Sequence, residues 1–309
     1  MDNIISVREA EGFADIEKFW SELHTYHIRD IFPDPSDEDR EYFLDDSQYR
    51  AQIDALCLRE SDRCHRLFFS RGGEDIGFAL AVIYDGEEGK CFLLEFCVFP
   101  QFRGGGTGTV CAEEFLCWAR EKGAQYFELN FDTEQRRRFW ERSGFVLNGR
   151  DEWGAKLMIL PPEGESPFNV RRLTESGDWQ LKKLLQGYLA EIGERVADEA
   201  ARARLENAVG GGEIVFLLAY RGSRAVGMCS VTAHFSTFSC GKVGVFEDFF
   251  IEPVFRGKGI ARKLVVAARD YCRGEEISSL SVSCADCDEG MYRALGFDTA
   301  LGTSLASRI

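Results

Sequence analysis

Two glycine-rich stretches of the sequence have the residue types and spacing needed to hold a phosphate group. One is RGKGIA at residues 256–261 and the other is RGGGTG at residues 103–108, and each follows an apolar run and opens a helical pattern. Glycine lets the backbone turn its N–H groups toward one point, and a helix N-terminus adds positive potential. We therefore predict a main-chain cradle for a phosphate or pyrophosphate at both places. The predicted cradle residues are Arg256, Gly257, Lys258, Gly259, Ile260 and Ala261 in one stretch and Arg103, Gly104, Gly105, Gly106, Thr107 and Gly108 in the other.

Both stretches lie in the same longer context, which indicates an internal repeat. A strand pattern precedes each, and a Gly-Phe pair follows about 40 residues later, at Gly144 and Phe145 in the first half and at Gly296 and Phe297 in the second. One glycine motif of this kind is common by chance, whereas two in matching contexts are not. The chain is therefore predicted to hold two copies of one domain.

The elements that must position each cradle also repeat in order. Each half opens with a strand and an amphipathic helix, continues with a hairpin turn (residues 71–75 and 221–224), and ends with a strand and a short helix. Thr174 or Ser176 is the predicted N-cap of the first helix in the second half. We predict an α/β fold of the α+β type, with tandem domains at residues 1–162 and 167–309 and a proline-rich linker at 160–167. The apolar positions at helical spacing in that helix are Leu181, Leu184, Leu185 and Leu189.

With these motifs, the chain resembles the GCN5-related N-acetyltransferases (GNAT family) along essentially its whole length, as two tandem copies. The segment FEDFFIEPVFRGKGIA at residues 246–261 looks locally like the diamine (polyamine) acetyltransferases. The resemblance implies, in each copy, a mixed, mostly antiparallel sheet flanked by helices and splayed between its fourth and fifth strands. It also implies acetyl-CoA as donor, with the pyrophosphate on residues 257–261. The pantetheine would pair with strand backbone at Phe249, Phe250 and Ile251.

Acetyl transfer to an amine needs a proton acceptor for the ammonium, a donor for the acetyl oxygen and an acid for the leaving thiolate. Glu247 or Asp248 is the candidate base, and consecutive strand residues are expected to face opposite ways, so that only one faces the site. The resemblance favours Glu247; the alternative is a rim carboxylate that orients a cationic substrate. A backbone N–H of Phe250 or Ile251 is the expected oxyanion donor. Tyr292 stands where the family keeps its general-acid tyrosine, and the alternative is a core tyrosine.

The first copy departs from this pattern. Trp140 occupies the tyrosine position, and an indole has no practical proton to give a thiolate. Leu94 stands at the position of Glu247, while Glu95 aligns with Asp248. We predict a degenerate copy that is structural or binds the cofactor without turnover. The second copy departs once, because Ala285 replaces an asparagine that the family often has there.

Residues 29–46 carry eight carboxylates, and they fall where the family places its variable acceptor-covering segment. Either they draw in a cationic acceptor such as a polyamine or aminoglycoside, or they form a solvated helix and loop face, which is the commoner case. His24 and His27 are expected to be exposed helix residues. The CxxC at Cys284 and Cys287 has no second ligand pair, so no metal site is predicted.

Composition narrows the class further. The chain has 309 residues, 45% of them hydrophobic, and a net charge of −15, which argues against nucleic-acid binding. No signal peptide or membrane segment is apparent, so a cytoplasmic protein is expected. An odd count of 11 cysteines within apolar patterns predicts buried free thiols. The cysteines cited for this expectation are Cys91, Cys97, Cys111 and Cys117.

These features predict an acetyl-CoA-dependent N-acetyltransferase that acts on an amine of a small molecule or peptide, with its chemistry in the second domain. A non-catalytic acyl-CoA sensor and a protein N-acetyltransferase are the alternatives. The expected partners are acetyl-CoA and an amine acceptor, with no nucleic acid and no membrane. Tandem copies could make the chain a monomer that resembles a dimer, and a homodimer is the other expectation.

Overall fold

A computed structural model describes residues 4–45, 48–151, 154–162, 167–174, 177–194 and 198–302. The chain divides into two compact units, residues 1–147 with 156–163 and residues 148–155 with 164–309. The predicted linker includes residues 163–166, which lie outside the described residues. Within the described part, no helix combines the length and apolarity that crossing a membrane would need.

The first sheet has seven strands in the order β1-β2-β3-β4-β5-β7-β6. Its strands are β1 (Ile5–Glu9), β2 (Arg63–Arg71), β3 (Glu74–Tyr84), β4 (Lys90–Val98), β5 (Tyr126–Asn130), β6 (Val146–Arg150) and β7 (Lys156–Leu160). Its helices are α1 (Gly12–Tyr26), α2 (Asp37–Asp39), α3 (Gln48–Cys57), α4 (Thr107–Glu121) and α5 (Glu134–Arg142), with π-helical turns at His27–Ile31 and Arg40–Asp45.

The second sheet has five strands in the order β12-β11-β10-β9-β8. Its strands are β8 (Phe168–Arg172), β9 (Ile214–Arg221), β10 (Arg224–Ser236), β11 (Gly241–Ile251) and β12 (Ile277–Ser281). Its helices are α6 (Trp179–Ile192), α7 (Glu199–Gly210), α8 (Ile260–Gly274) and α9 (Glu289–Ala294). Strand β4 pairs with β5, and β11 with β12, in parallel. The antiparallel pairs are β1–β2, β2–β3, β3–β4 and β5–β7 in the first sheet and β8–β9, β9–β10 and β10–β11 in the second. The predicted mixed, mostly antiparallel α/β fold in two copies is confirmed.

Each sheet buries both faces under helices, because alternate strand residues are apolar on both sides. On β10, Met228 packs toward α6 with Leu184, whereas Cys229 and Val231 pack toward α8 with Leu264. The first unit divides its core in the same way, between α1 on one face and α4 on the other. Each cradle therefore lies at the start of a helix that is held against the sheet by an apolar face.

Several local predictions can be compared with the structure. The two predicted hairpins are confirmed, since β2 pairs with β3 and β9 with β10 across these turns. The N-cap of α6 is Asp178, whose carboxylate accepts a hydrogen bond from the Gln180 N–H at 2.7 Å. The prediction of Thr174 as the N-cap is therefore wrong. Ser176 lies outside the described residues. Cys117 is exposed, so the prediction of a buried thiol is wrong there, because it lies on the outward face of α4.

Candidate active site

In each sheet, the two parallel strands separate part-way along their length. Strands β11 and β12 pair from Lys242 opposite Ile277 to Val245 opposite Ser281. Beyond that point β11 continues beside β10, and no β12 residue pairs with it in the described part of the chain. The first sheet opens at the matching place, after Leu93 on β4. The gap leaves backbone groups of the strand free to meet a ligand.

The direction of the backbone decides which groups face the gap. The Glu252 N–H donates to the Val226 carbonyl at 3.0 Å and therefore points toward β10. The Ile251 carbonyl accepts from Arg256 Nε at 2.9 Å and therefore points the other way. Because strand residues alternate, the N–H of Ile251 faces the gap and that of Phe250 faces β10. Of the two predicted oxyanion donors, the geometry supports Ile251 and not Phe250.

A β-bulge interrupts β11 at its two carboxylates. Ser230 pairs with Glu247, and beyond it Cys229 stands opposite two residues, Asp248 and Phe249. Asp248 has a φ of 49°, a left-handed conformation in which aspartate is one of the better-tolerated side chains. Ser230 Oγ donates to Asp248 Oδ2 at 2.6 Å, so Glu247 and Asp248 lie on the same face, toward α6. The expectation that only one of them could face the site is wrong, because the bulge breaks the strand alternation.

The two carboxylates have different surroundings. Burial raises the pKa of Asp248, and the hydrogen bond from Ser230 offsets part of that rise. Glu247 is exposed, and Thr232 Oγ1 approaches its carboxylate at 3.4 Å. Tyr188 on α6 is close enough that its pKa, raised mainly by burial, is raised further by both negative charges. Sequence reasoning missed Ser230, although a serine within the apolar run of β10 was a signal; the structure shows that it is fully buried.

Tyr292 packs at the other wall of the gap. Its ring lies 6.0 Å from that of Phe249 and 5.9 Å from that of Phe297, centroid to centroid. Burial raises the pKa of Tyr292 to about 12, with a smaller contribution from the charge of Asp288. The phenol therefore keeps its proton at neutral pH, as a general acid must.

Trp140 occupies the same place in the first unit as a core residue. It is 6% exposed, and its ring lies 5.1 Å from that of Phe96 and 5.2 Å from that of Phe145. The aromatic packing is thus kept in both copies, whereas the hydroxyl is present only in the second.

The predicted second cradle has the backbone that a pyrophosphate needs. Gly257 and Gly259 have φ values of +74° and +81°, which favour glycine, and a Cβ at either would meet no atom within 4 Å. No side chain caps the first turn of α8, so its N–H groups remain for a ligand. Arg256 also pairs with Glu191, which anchors the turn to α6. The residues present therefore fit the diphosphate of coenzyme A.

The first cradle is similar but not identical. Gly104 and Gly106 have φ values of +94° and +84°, and Arg103 Nε donates to the Val98 carbonyl at 2.7 Å. Here Gly105, where the second copy has lysine, is also left-handed, with a φ of +56°. The Thr107 N–H donates back to the Gly104 carbonyl at 3.1 Å, which engages one possible donor internally.

The first unit also carries buried polar groups at the strand end. His27 lies in a π-helical turn and is 2% exposed, so the expectation of an exposed helix residue is wrong for His27, whereas His24 is exposed. The acidic segment partly serves the fold: Asp30 pairs with Arg29 and Arg103, which hold its pKa at about 2. Among the described residues, no three His, Cys, Asp or Glu side chains could together hold a metal ion.

The splayed sheet, the backbone cradle at a helix start and the paired carboxylates are features that a transferase using an acyl-CoA would need. The sequence profile of the acetyltransferase (GNAT) family matches residues 12–145 and 180–297, so the chain belongs to this family, with two copies of its domain. Members use acetyl-CoA as the acyl donor, and the protein is an acyltransferase. No curated protein sequence matches the chain significantly.

Three solved structures that are similar to the chain each correspond to less than half of it. Glucosamine-6-phosphate N-acetyltransferase from Arabidopsis thaliana is 24% identical, over 46% of this chain and 98% of its own, with a TM-score of 0.39. An aminoglycoside acetyltransferase from an uncultured soil metagenomic sample, in complex with sisomicin, is 13% identical over 46% and 95%, with a TM-score of 0.42. A predicted acetyltransferase from Clostridium acetobutylicum, with acetyl-CoA, is 17% identical over 45% and 96%, with a TM-score of 0.39.

Proposed function

We propose that the protein transfers an acetyl group from acetyl-CoA to a primary amine of a small molecule or peptide, and that the second unit carries the chemistry. The observation that carries this proposal is the bulge in β11, which brings Glu247 and Asp248 together where β11 leaves β12. An amine acceptor arrives as a cation, and two adjacent carboxylates attract it. We assign the catalytic domain to residues 167–309 and its partner domain to residues 1–162.

Asp248 is the better placed proton acceptor of the pair. Its burial makes the ionised carboxylate less stable and therefore more basic, and Ser230 holds it in position. Glu247 is more exposed and suits the role of binding the cation as it enters. This assignment differs from the family resemblance, which favours Glu247 as the base.

The remaining tasks fall to groups along the gap. When bound, acetyl-CoA supplies the acetyl group as a thioester. The Ile251 N–H, which faces the gap, can donate to the acetyl oxygen as negative charge develops there. Tyr292, protonated at neutral pH, can return a proton to the thiolate. The cradle residues 256–261 would hold the diphosphate.

The first unit lacks two of these parts, since Leu94 and Trp140 stand at the positions of Glu247 and Tyr292. We therefore keep the interpretation that it binds acetyl-CoA or serves a structural role without turnover. Its cradle, residues 103–108, retains an open turn for the diphosphate.

A screen of primary amines tests the proposal. Polyamines, aminoglycosides and amino-terminal peptides are incubated with acetyl-CoA, and the release of the CoA thiol is followed. Asp248→Asn should lower kcat about 100-fold or more, because the amide cannot take the proton, whereas Glu247→Gln should mainly raise KM for the amine. An unchanged kcat in Asp248→Asn, with a comparable loss in Glu247→Gln, would reverse the assignment. If both variants keep the turnover of the parent protein, the proposal that this unit carries the chemistry is refuted.

A further inference from the structure

Two cysteines of the first unit, Cys57 and Cys64, are brought together by α3 and β2. Cys57 ends α3, and Cys64 is the second residue of β2. An ion pair between Asp54 and Arg66 joins the same helix to the same strand. Asp54 lies three residues before Cys57, on the same face of the helix, and Arg66 lies two residues after Cys64, on the same face of the strand. The ion pair therefore places the two thiols opposite each other.

The two thiols interact, and their surroundings differ. The Cys64 thiol donates a hydrogen bond to the Cys57 sulfur. Cys64 is 1% exposed and belongs to the apolar core between α1 and the sheet, whereas Cys57 is half-buried and packs at the edge of that core. The loop that follows Cys57 begins with Leu58, which is exposed. A small solute can therefore reach Cys57 from outside, and Cys64 lies behind it.

The surroundings favour negative charge on Cys57. The hydrogen bond from Cys64 lowers the pKa of Cys57, burial opposes this effect, and the nearby Arg66 guanidinium lowers the pKa further. The same hydrogen bond, together with burial, raises the pKa of Cys64. The Arg66 side chain is 10% exposed, and its Nε is buried with no hydrogen-bond partner in the described part of the chain. A thiol beside such a cation ionises more readily and becomes the better nucleophile.

We propose that Cys57 and Cys64 form a dithiol site that hydrogen peroxide oxidises to a disulfide, with Cys57 as the attacking thiolate and Cys64 as the resolving thiol. The proposal is independent of acetyl transfer in either unit. It gives the first unit a chemistry of its own, in which a covalent bond joins the end of α3 to the start of β2.

The reaction has two steps. The Cys57 sulfur attacks one peroxide oxygen, so that an S–O bond forms and the O–O bond breaks, and the departing hydroxide becomes water with the proton that Cys57 had released. The Cys64 sulfur then attacks Cys57, so that the S–S bond forms and the S–O bond breaks, and the second hydroxide leaves as water with the Cys64 proton. The two sulfurs lose two electrons in all, and the peroxide gains them.

A peptide map of the oxidised full chain tests the site. The protein is reduced with dithiothreitol, freed of the reductant and treated with hydrogen peroxide, and its remaining thiols are blocked with N-ethylmaleimide before tryptic digestion. Trypsin cleaves after arginine, so the two cysteines fall in separate peptides, residues 51–59 and 64–66. Mass spectrometry should find these peptides joined, and dithiothreitol should separate them.

The exposed Cys117 is the control within the same protein. Linkage of the two peptides should proceed at least tenfold faster than oxidation of Cys117, because the attacking thiolate is stabilised and its resolving thiol is already in place. Peptides that stay unlinked at a peroxide concentration that oxidises Cys117 would overturn the proposal. A map in which Cys57 is joined to a different cysteine would overturn it as well.

Variants assign the two roles. In Cys64→Ser, oxidation should stop at the sulfenic acid of Cys57, which dimedone traps, whereas in Cys57→Ser the buried Cys64 should stay reduced. Arg66→Met should slow disulfide formation at least fivefold, while Arg59→Met, which removes an exposed charge from the adjoining loop, should leave it within about twofold of the parent. Dimedone labelling of Cys64 in place of Cys57, or equal rates in the two arginine variants, would overturn these roles. Thermal unfolding shows that each variant is folded, and the map of the unchanged protein decides the question if one is not.

Discussion

Removing the hydroxyl of Ser230 should move the pH dependence of acetyl transfer in a direction that the structure fixes. Ser230 Oγ donates to Asp248 Oδ2 at 2.6 Å, and the serine is fully buried. The carboxylate must be ionised to accept a proton from the ammonium, so activity rises as pH passes its pKa. The hydrogen bond stabilises the ionised form, and its loss in Ser230→Ala raises that pKa. The acid limb of the profile must therefore move to higher pH.

The size of the movement follows from the strength of the bond. A hydrogen bond to an ionised group contributes about 1.5–3 kcal/mol. Since one pKa unit corresponds to about 1.4 kcal/mol, the acid limb of kcat/KM should move up by about 1–2 pH units. The alkaline limb should stay in place up to the limit of the assay, because the pKa of Tyr292 is raised to about 12.

The assay is the initial rate of CoA release between about pH 5 and 9, with the amine that the screen identifies as the best acceptor. Thr232→Val is the matched control, since it removes a hydroxyl that lies 3.4 Å from the exposed Glu247 carboxylate. It should leave the acid limb within about 0.3 pH units, because exposed contacts of this length contribute little. An acid limb that stays in place in Ser230→Ala would refute the role of Asp248, and one that moves only in Thr232→Val would transfer that role to Glu247.

Two further predictions concern other groups of the second unit. Tyr292→Phe should lower kcat about 100-fold and leave the Kd of acetyl-CoA unchanged, because the ring still packs while the acid is lost. The control Trp140→Phe, in the first unit, should leave kcat unchanged. Equal effects of the two substitutions on kcat would contradict the assignment of Tyr292 as the acid. Glu252→Gln should lower the free energy of unfolding by about 3–5 kcal/mol, since its 2.6 Å pair with Arg224 is 5% exposed on each side. Urea unfolding measures the free energy of unfolding of each variant. The control Arg273→Gln breaks an exposed ion pair with Asp270 and should change that free energy by less than about 1 kcal/mol. Similar losses in both variants would show that burial of the Glu252–Arg224 pair does not matter.

The repeat, the two glycine turns and the two hairpins could be predicted because each depends on local pattern. Glycine at Gly257 and Gly259 marks a left-handed backbone directly, and apolar alternation marks the strands around it. The matching distance from each glycine turn to its Gly-Phe pair then indicated that the chain holds two copies of one domain. Such features need no knowledge of which residues meet across the sheet.

The arrangement of the candidate site could not be predicted in the same way. Position 248 has a left-handed backbone but is an aspartate, and only a glycine there would have indicated that conformation in the sequence. The bulge that places Asp248 beside Glu247 could therefore not be predicted. His27 was expected to be exposed because it is polar and has no partner nearby in the sequence. It follows Leu23 by four residues and so lies on the buried face of the helix, where its partner is Glu95, a residue 68 positions further along the chain. Both errors concern contacts between strand and helix residues that the local sequence does not show.

The most direct test of the account is acetyl transfer by two matched variants, Gly257→Glu and Gly104→Glu. Each places a carboxylate in one cradle at a glycine with positive φ and open space around it, so the backbone strain is comparable in both. We predict that Gly257→Glu abolishes CoA release and that Gly104→Glu retains it within about threefold. Loss of activity in Gly104→Glu with retention in Gly257→Glu would contradict the account and place the working site in the first unit.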